Sequence, residues 1–217
     1  VEQEKIYASV LGKELGTSWE VLNAGIGAWT LWQSWVRLAW DGERLAPDVV
    51  MAYHQANDYL PAGQIDRNNP LYFLPGTDRQ IYESRRPWAP ILRILDYSRA
   101  WRVGMKSWTE KQSLEGSTPT LRVPDPDRRL AWQSMARWCS EHQAQLWVVV
   151  PLYDSNRIDP VLRATAALPG VKLVDLPALA EAQGQNRRSL LADGVHPNAD
   201  GHAWIGKMLA EALQNAQ

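Results

Sequence analysis

Asp193 and His196 stand three residues apart in "LLADGVHPNADGHAWIG", Leu190 to Gly206, within a loop containing Gly, Pro and Asn. A carboxylate so placed can accept one imidazole N–H and hold the ring with its other nitrogen toward a substrate, which makes a general base. The same residues suit a surface loop in which the aspartate caps a turn and the histidine is solvated. Asn57, followed by Asp58 in "HQAND", offers an amide able to donate to an oxyanion, or an Asx turn that ends a strand. In "NAGIGA" the glycines let backbone N–H groups near Gly27 and Ala28 approach a ligand, and equally suit a plain strand-to-helix turn. The other use of histidine is metal ligation. Only His54, His142, His196 and His202 exist, none paired at i, i+4, and a site made from Asp193, His196 and His202 would be improvised. Neither a metal nor a cofactor is expected.

The elements that must position these residues follow from hydrophobic periodicity. "VEQEKIYASVLGKELG" reads as an amphipathic helix ending at Gly16, with Ile6, Val10 and Leu11 on one face. "WEVLNAGIG" reads as a short strand ending in glycines, and "TLWQSWVRLAWDGERLA" as a helix. A buried strand begins at Val49 and ends where polar residues crowd at His54 to Asp58. Between Leu60 and Pro119 the pattern weakens, and residues 60–120 read as an insertion or cap carrying one helix over "APILRILDYSRAWRVGMKSW". "PDPDRRLAWQSMARWCSEHQ" is helical, and "AQLWVVVPLYD" is the strongest strand signal in the chain. A helix over "DPVLRATAAL", a strand over "VKLVDL" and a closing helix over "GHAWIGKMLAEAL" complete the pattern. Continuous apolar strands alternating with helices imply a mostly parallel sheet covered on both faces, with ligands beyond the carboxyl ends of the strands. The polar clusters Gly25 to Ala28, His54 to Asp58 and Leu152 to Asp154 fall at those ends. One domain over residues 1–217 is the expectation for this length.

Composition narrows the partners. With 23 basic and 24 acidic residues and no long run of either sign, no footprint for nucleic acid is present. No apolar run is long enough for a spanning helix. Cys139 is the only cysteine, which rules out an internal disulfide and leaves the compartment open. The chain has 12 Trp against one Phe. Trp faces can stack on sugar rings, although each Trp is more often a packing residue.

Taken in order, "VLNAGIGAWT", "HQAND" and "DGVHPNADGH" resemble the second, third and fourth blocks of the SGNH/GDSL hydrolase family. The resemblance spans nearly the whole chain. It implies a three-layer α/β/α, flavodoxin-like fold. It also implies His196 as general base, Asp193 as its orienting carboxylate, Asn57 as an oxyanion donor, and a second donor in the backbone N–H near Gly27 or Ala28. Gln55 stands where the third block usually has Gly, and Ala28 where the second block has its oxyanion glycine. The family's Gly-Asp-Ser block is not among these 217 residues. In related sequences that block ends the first strand just before a helix like the opening one, so nucleophile and first strand are expected upstream of Val1. The fragment alone is then expected to be inactive and marginally stable. The implied activity is cleavage of a small-molecule or carbohydrate ester, by esterase or deacetylase chemistry. The alternatives are a non-catalytic carbohydrate-binding or scaffolding domain and an O-acyltransferase.

Overall fold

The computed structural model describes residues 2–62, 76–85, 121–153 and 159–216. Along the chain run α1 (Tyr7–Leu15), α2 (Leu31–Leu45), β1 (Val49–Tyr53), α3 (Asp78–Arg85), α4 (Asp125–Glu141), β2 (Gln145–Val150), α5 (Pro160–Ala166), β3 (Val171–Asp175), α6 (Leu176–Ala182) and α7 (Ala199–Gln214). The fold is mixed α/β with a three-stranded parallel sheet, consistent with the α/β/α architecture expected from the sequence. The expected insertion over 60–120 and its helix lie largely outside the described residues.

The chain divides into two compact units. The first comprises residues 1–27, 46–54 and 136–217, the second residues 28–45 and 55–135.

The first unit holds the sheet, in the order β1-β2-β3, with Val49 opposite Gln145 and Leu146 opposite Val171. β2 is central because its run from Leu146 to Val150 is apolar on both faces, and each of those residues is 2% exposed or less. Trp147 and Val149 face a core shared with Leu11 and Leu15 of α1 and with Trp204, Ile205, Met208, Leu209 and Leu213 of α7. Strand alternation turns Leu146, Val148 and Val150 to the other face. α5 packs on β2 and β3. Glycine allows α1 and α7 to meet: a Cβ on Gly206 would lie 2.6 Å from the Val10 Cβ and 2.9 Å from the Tyr7 carbonyl. Helix starts follow side-chain chemistry. Asp159, Asp175 and Asn198 accept the N–H groups of Val161, Ala178 and Gly201 at the heads of α5, α6 and α7.

One expected strand is not formed. "WEVLNAGIG" contributes nothing to the sheet, although Trp19 is extended (φ −130°, ψ 139°) and Val21 packs against Gly12. Leu22 and Ile26 are exposed. A short apolar stretch becomes a strand only where a ladder partner satisfies its backbone, and among the described residues no strand runs beside this one.

The second unit is held by polar groups as much as by apolar ones. α2 begins at buried Leu31 and Trp32, and the same unit buries Thr30, Asp58, Thr77, Asp78, Arg122, Asp127 and Arg128. A 3-10 turn over Ala56–Tyr59 carries Asn57 and Asp58. Backbone bonds from Arg122 N–H to the Leu60 carbonyl (2.8 Å) and from Val123 N–H to the Asp58 carbonyl (3.1 Å) tie that turn to the chain entering α4.

Candidate active site

The loop between Leu191 and Pro197 closes on itself before α7 begins. Leu191 and Pro197 form an antiparallel bridge, and the Ala192 N–H donates to the His196 carbonyl at 2.8 Å. Gly194 takes φ 85°, a left-handed conformation that glycine adopts without a Cβ clash. This turn lets Asp193 reach forward. Its Oδ1 accepts the N–H groups of Val195 (3.1 Å) and His196 (2.8 Å), while Oδ2 lies 2.8 Å from His196 Nδ1. The His196 backbone N–H, then the His196 ring, then the Val195 N–H hold the carboxyl down to a pKa of about 2. With Asp193 accepting at Nδ1, the proton sits there and the Nε2 lone pair is left for a substrate proton. Both side chains are well exposed, His196 at 77% and Asp193 at 57%. Behind them, Asn198 donates to the Ser189 carbonyl (2.8 Å) while its own Oδ1 caps α7. Gly201 is required there, because a Cβ would fall 2.0 Å from the Leu190 carbonyl oxygen.

The other histidines do different work. His202 accepts the Tyr7 N–H at Nδ1 (3.3 Å) and stacks on the Tyr7 ring at 5.8 Å. His142 lies with Nδ1 2.8 Å from the Trp138 carbonyl and stacks on that indole. Burial lowers the His54 pKa to about 4, so it is neutral near pH 7. No group of three metal-ligating side chains assembles among the described residues.

The expected oxyanion donors Ala28 and Asn57 lie in the second unit, and Gly27 closes the first stretch of the other. Ala28 is left-handed at φ 64°. The following residues are pinned one after another. Arg122 Nη1 donates to the Ala28 carbonyl (3.1 Å), and Asn57 Nδ2 donates to the Trp29 carbonyl (3.0 Å). The Thr30 N–H donates to Gln33 Oε1 (3.0 Å), and the Leu31 N–H to Asp58 Oδ1 (2.8 Å). Asn57 therefore spends one amide hydrogen on the loop and has a second with which to donate. Burial pushes the Asp58 carboxyl up to a pKa of about 7; the Leu31 N–H, Arg128 and Arg122 pull it down, and Asp78 pushes it up. Gly27 is exposed, with open space where a Cβ would project.

The structure thus brings His196 to Asp193, and Asn57 to the loop that begins at Ala28. Sequence reasoning missed Arg122, Asp78 and the capping role of Asp58. The one local signal was Asp58 beside Asn57, which reads equally well as an Asx turn.

The chain matches the model of the GDSL-like Lipase/Acylhydrolase family over residues 3–204. Among solved structures it is similar to LAE5, described as an alpha/beta hydrolase enzyme from the metagenome of Lake Arreo, Spain. The two are 16% identical with a TM-score of 0.57, over 98% of this chain and 81% of that one, a likeness of fold. No curated protein matches. No helix among the described residues is long and apolar enough to cross a membrane.

Proposed function

The chain belongs to the GDSL-like lipase/acylhydrolase family, and on that premise we propose that it hydrolyses carboxylic esters by acyl transfer through a serine. The observation that carries the reading is the His196 ring held on Asp193 at 2.8 Å, with both nearby backbone N–H groups on the same carboxylate.

A serine hydroxyl attacks the ester carbonyl carbon as His196 Nε2 takes its proton. Asp193 stabilises the imidazolium that results. The carbonyl oxygen becomes an oxyanion and accepts from the second Asn57 N–H and from a backbone N–H at Gly27 or Ala28. Collapse breaks the bond to the leaving alcohol, which takes the proton from His196. Water then attacks the acyl-serine with His196 again accepting the proton, and the acid leaves as serine is restored. No metal or cofactor enters these steps.

A sugar-linked acyl group is the favoured substrate class. Its support is a groove of about 280 Å³ along α2, lined by Trp29, Gln33, Val36, Arg37, Trp40 and Asp41, with Trp40 half exposed. Aromatic faces beside hydrogen-bonding side chains suit a sugar ring. Among the described residues most tryptophans serve packing instead: Trp32, Trp132, Trp138, Trp147 and Trp204 are buried.

The test uses the full-length protein with p-nitrophenyl acetate and an O-acetylated oligosaccharide, alongside labelling by a fluorophosphonate. Hydrolysis that falls at least ~10³-fold in His196→Ala, with one labelled serine peptide, is the expected result. A folded protein that neither hydrolyses nor labels, yet binds the oligosaccharide, would make it a carbohydrate-binding domain. Transfer of acetyl to added sugar in preference to water would make it an acyltransferase.

A further inference from the structure

Arg122 stands 94 positions from Ala28 in sequence, and its guanidinium donates to the Ala28 carbonyl at 3.1 Å. It is 5% exposed and paired with Asp78, itself 8% exposed, through Nη2 at 3.2 Å and Nε at 3.4 Å. Asp78 also takes the Thr30 hydroxyl at 2.6 Å, and Arg122 Nη2 reaches Gln33 Oε1 at 3.3 Å. The backbone on either side of the same arginine fixes the turn that carries Asn57, through the Leu60 and Asp58 carbonyls. A single buried residue therefore grips both elements that present oxyanion donors.

We infer that Arg122, seated by Asp78, is a positioning residue that sets the Ala28 peptide and the Asn57 turn in register. The inference rests on the hydrolase reading of Asn57 and Ala28. Its physical basis is the planar fork of a guanidinium. The Nε/Nη2 edge can hold the Asp78 carboxylate while an Nη1 hydrogen is aimed at a carbonyl, an arrangement that an ammonium on a flexible stem cannot reproduce. Holding the Ala28 carbonyl limits rotation of the peptide that follows Ala28. With φ at 64°, that restraint carries back to the direction of the Ala28 N–H. Oxyanion stabilisation needs such donors fixed before charge develops, so a loosened loop costs rate in the chemical step more than ground-state binding.

The decisive variant is Arg122→Lys in the full-length protein, which keeps the charge opposite Asp78. Turnover of p-nitrophenyl acetate is expected to fall at least ~10-fold with KM within about twofold, and with an unchanged pH profile, because the base is untouched. Hydrogen exchange supplies a readout independent of activity. Amides across residues 28–33 should exchange at least ~10-fold faster in the variant, while those of β2 keep their protection. Unchanged exchange in that loop, or a turnover loss that tracks only the unfolded fraction, overturns the inference. If Arg122→Lys does not fold, Gln33→Met is the second probe. It removes one acceptor of Arg122 and the acceptor of the Thr30 N–H, and should lower turnover about threefold at constant KM; wild-type turnover and exchange would overturn the inference. An intact protein that hydrolyses no ester, yet shows faster loop exchange in Arg122→Lys, fails the hydrolase reading and leaves the clamp standing.

Discussion

Asp193 and His196 meet three positions apart on one exposed loop, whereas Asp58, Asp78 and Arg122 meet in a buried cluster assembled from distant parts of the chain. The exposed pair is made by local turn chemistry: a left-handed glycine, one carboxylate and two backbone N–H groups. Water screens it, so its contribution to stability is small and its value lies in orienting a ring. The buried cluster is the reverse. Its groups have left water: Arg122 and Asp78 hydrogen-bond each other, Asp58 accepts the Leu31 N–H and feels both charges, and removing one member leaves the others less compensated. Substitutions in the loop should therefore change chemistry alone, and substitutions in the cluster should change chemistry and fold together.

The largest separation of the two regions is expected between Asn57→Ala and Asp193→Asn. Asn57→Ala removes the proposed oxyanion donor and also the bond to the Trp29 carbonyl. Turnover of p-nitrophenyl acetate should fall ~10²–10³-fold, with a Tm lower by a few degrees. Asp193→Asn retains an acceptor for the two backbone N–H groups but loses the charge facing the ring. A loss of about 10- to 100-fold is expected, smaller than for a buried orienting carboxylate because solvent screens the pair. Its Tm should stay within about a degree. A Tm drop in Asp193→Asn larger than that in Asn57→Ala would erase the contrast.

The same contrast was already present in what the sequence made legible. "DGVHPN" could be read because every atom of the pair is supplied within four residues, and β2 because five consecutive apolar residues can only be buried. Arg122 could not. It follows a stretch with no periodicity, and its partners Ala28 and Asp78 lie 94 and 44 positions away, a distance over which local pattern carries no information. Trp19–Gly27 failed for a related reason. Its composition favours an extended chain, but a strand exists only with a neighbour, and neighbours are a property of the whole sheet. Ala28 shows in the sequence only as an alanine where the family has its oxyanion glycine, while its left-handed conformation comes with residues gripping it from elsewhere.

A smaller effect, and one that titrates, belongs to Asp58. Its folded pKa of about 7 stands above the ordinary 3.8, so the folded state binds the proton more tightly than the unfolded state. Asp58 therefore contributes a loss of stability as pH rises from about 4 to about 7, complete above that range. Burial of His54 acts oppositely: its pKa of about 4 costs stability as pH falls below 6.5. The two overlap and partly cancel in the wild type. Asp58→Asn keeps an acceptor for the Leu31 N–H and removes the ionisation, so chemical denaturation at pH 8 should show a gain relative to wild type that shrinks toward pH 5. Asp193 works the other way: its lowered pKa of about 2 contributes a small, solvent-screened stabilisation above about pH 4 that is lost in stronger acid, so any difference between Asp193→Asn and wild type should shrink below pH 4. Equal pH profiles for Asp58→Asn and wild type would show that the cluster holds Asp58 charged in both states.

The smallest expected effect is at Ala28, where two opposing terms nearly meet. An alanine at φ 64° carries left-handed strain of about 1–2 kcal/mol, which glycine relieves. Glycine also frees the unfolded chain, at a cost of about 0.4–1 kcal/mol. Ala28→Gly should therefore stabilise by about 0.5 kcal/mol, read as a shift in denaturant midpoint at constant slope. Turnover should stay within about threefold, because Arg122 grips the carbonyl rather than the side chain and glycine keeps the N–H. The double variant Ala28→Gly, Arg122→Lys removes both restraints on that peptide at once. If the alanine and the arginine act on the same peptide, its turnover loss should exceed the product of the two single losses, since a loop freed of its clamp and its Cβ together has more conformations in which the donor points away. Losses that simply multiply would place Arg122's influence on the Asn57 turn instead.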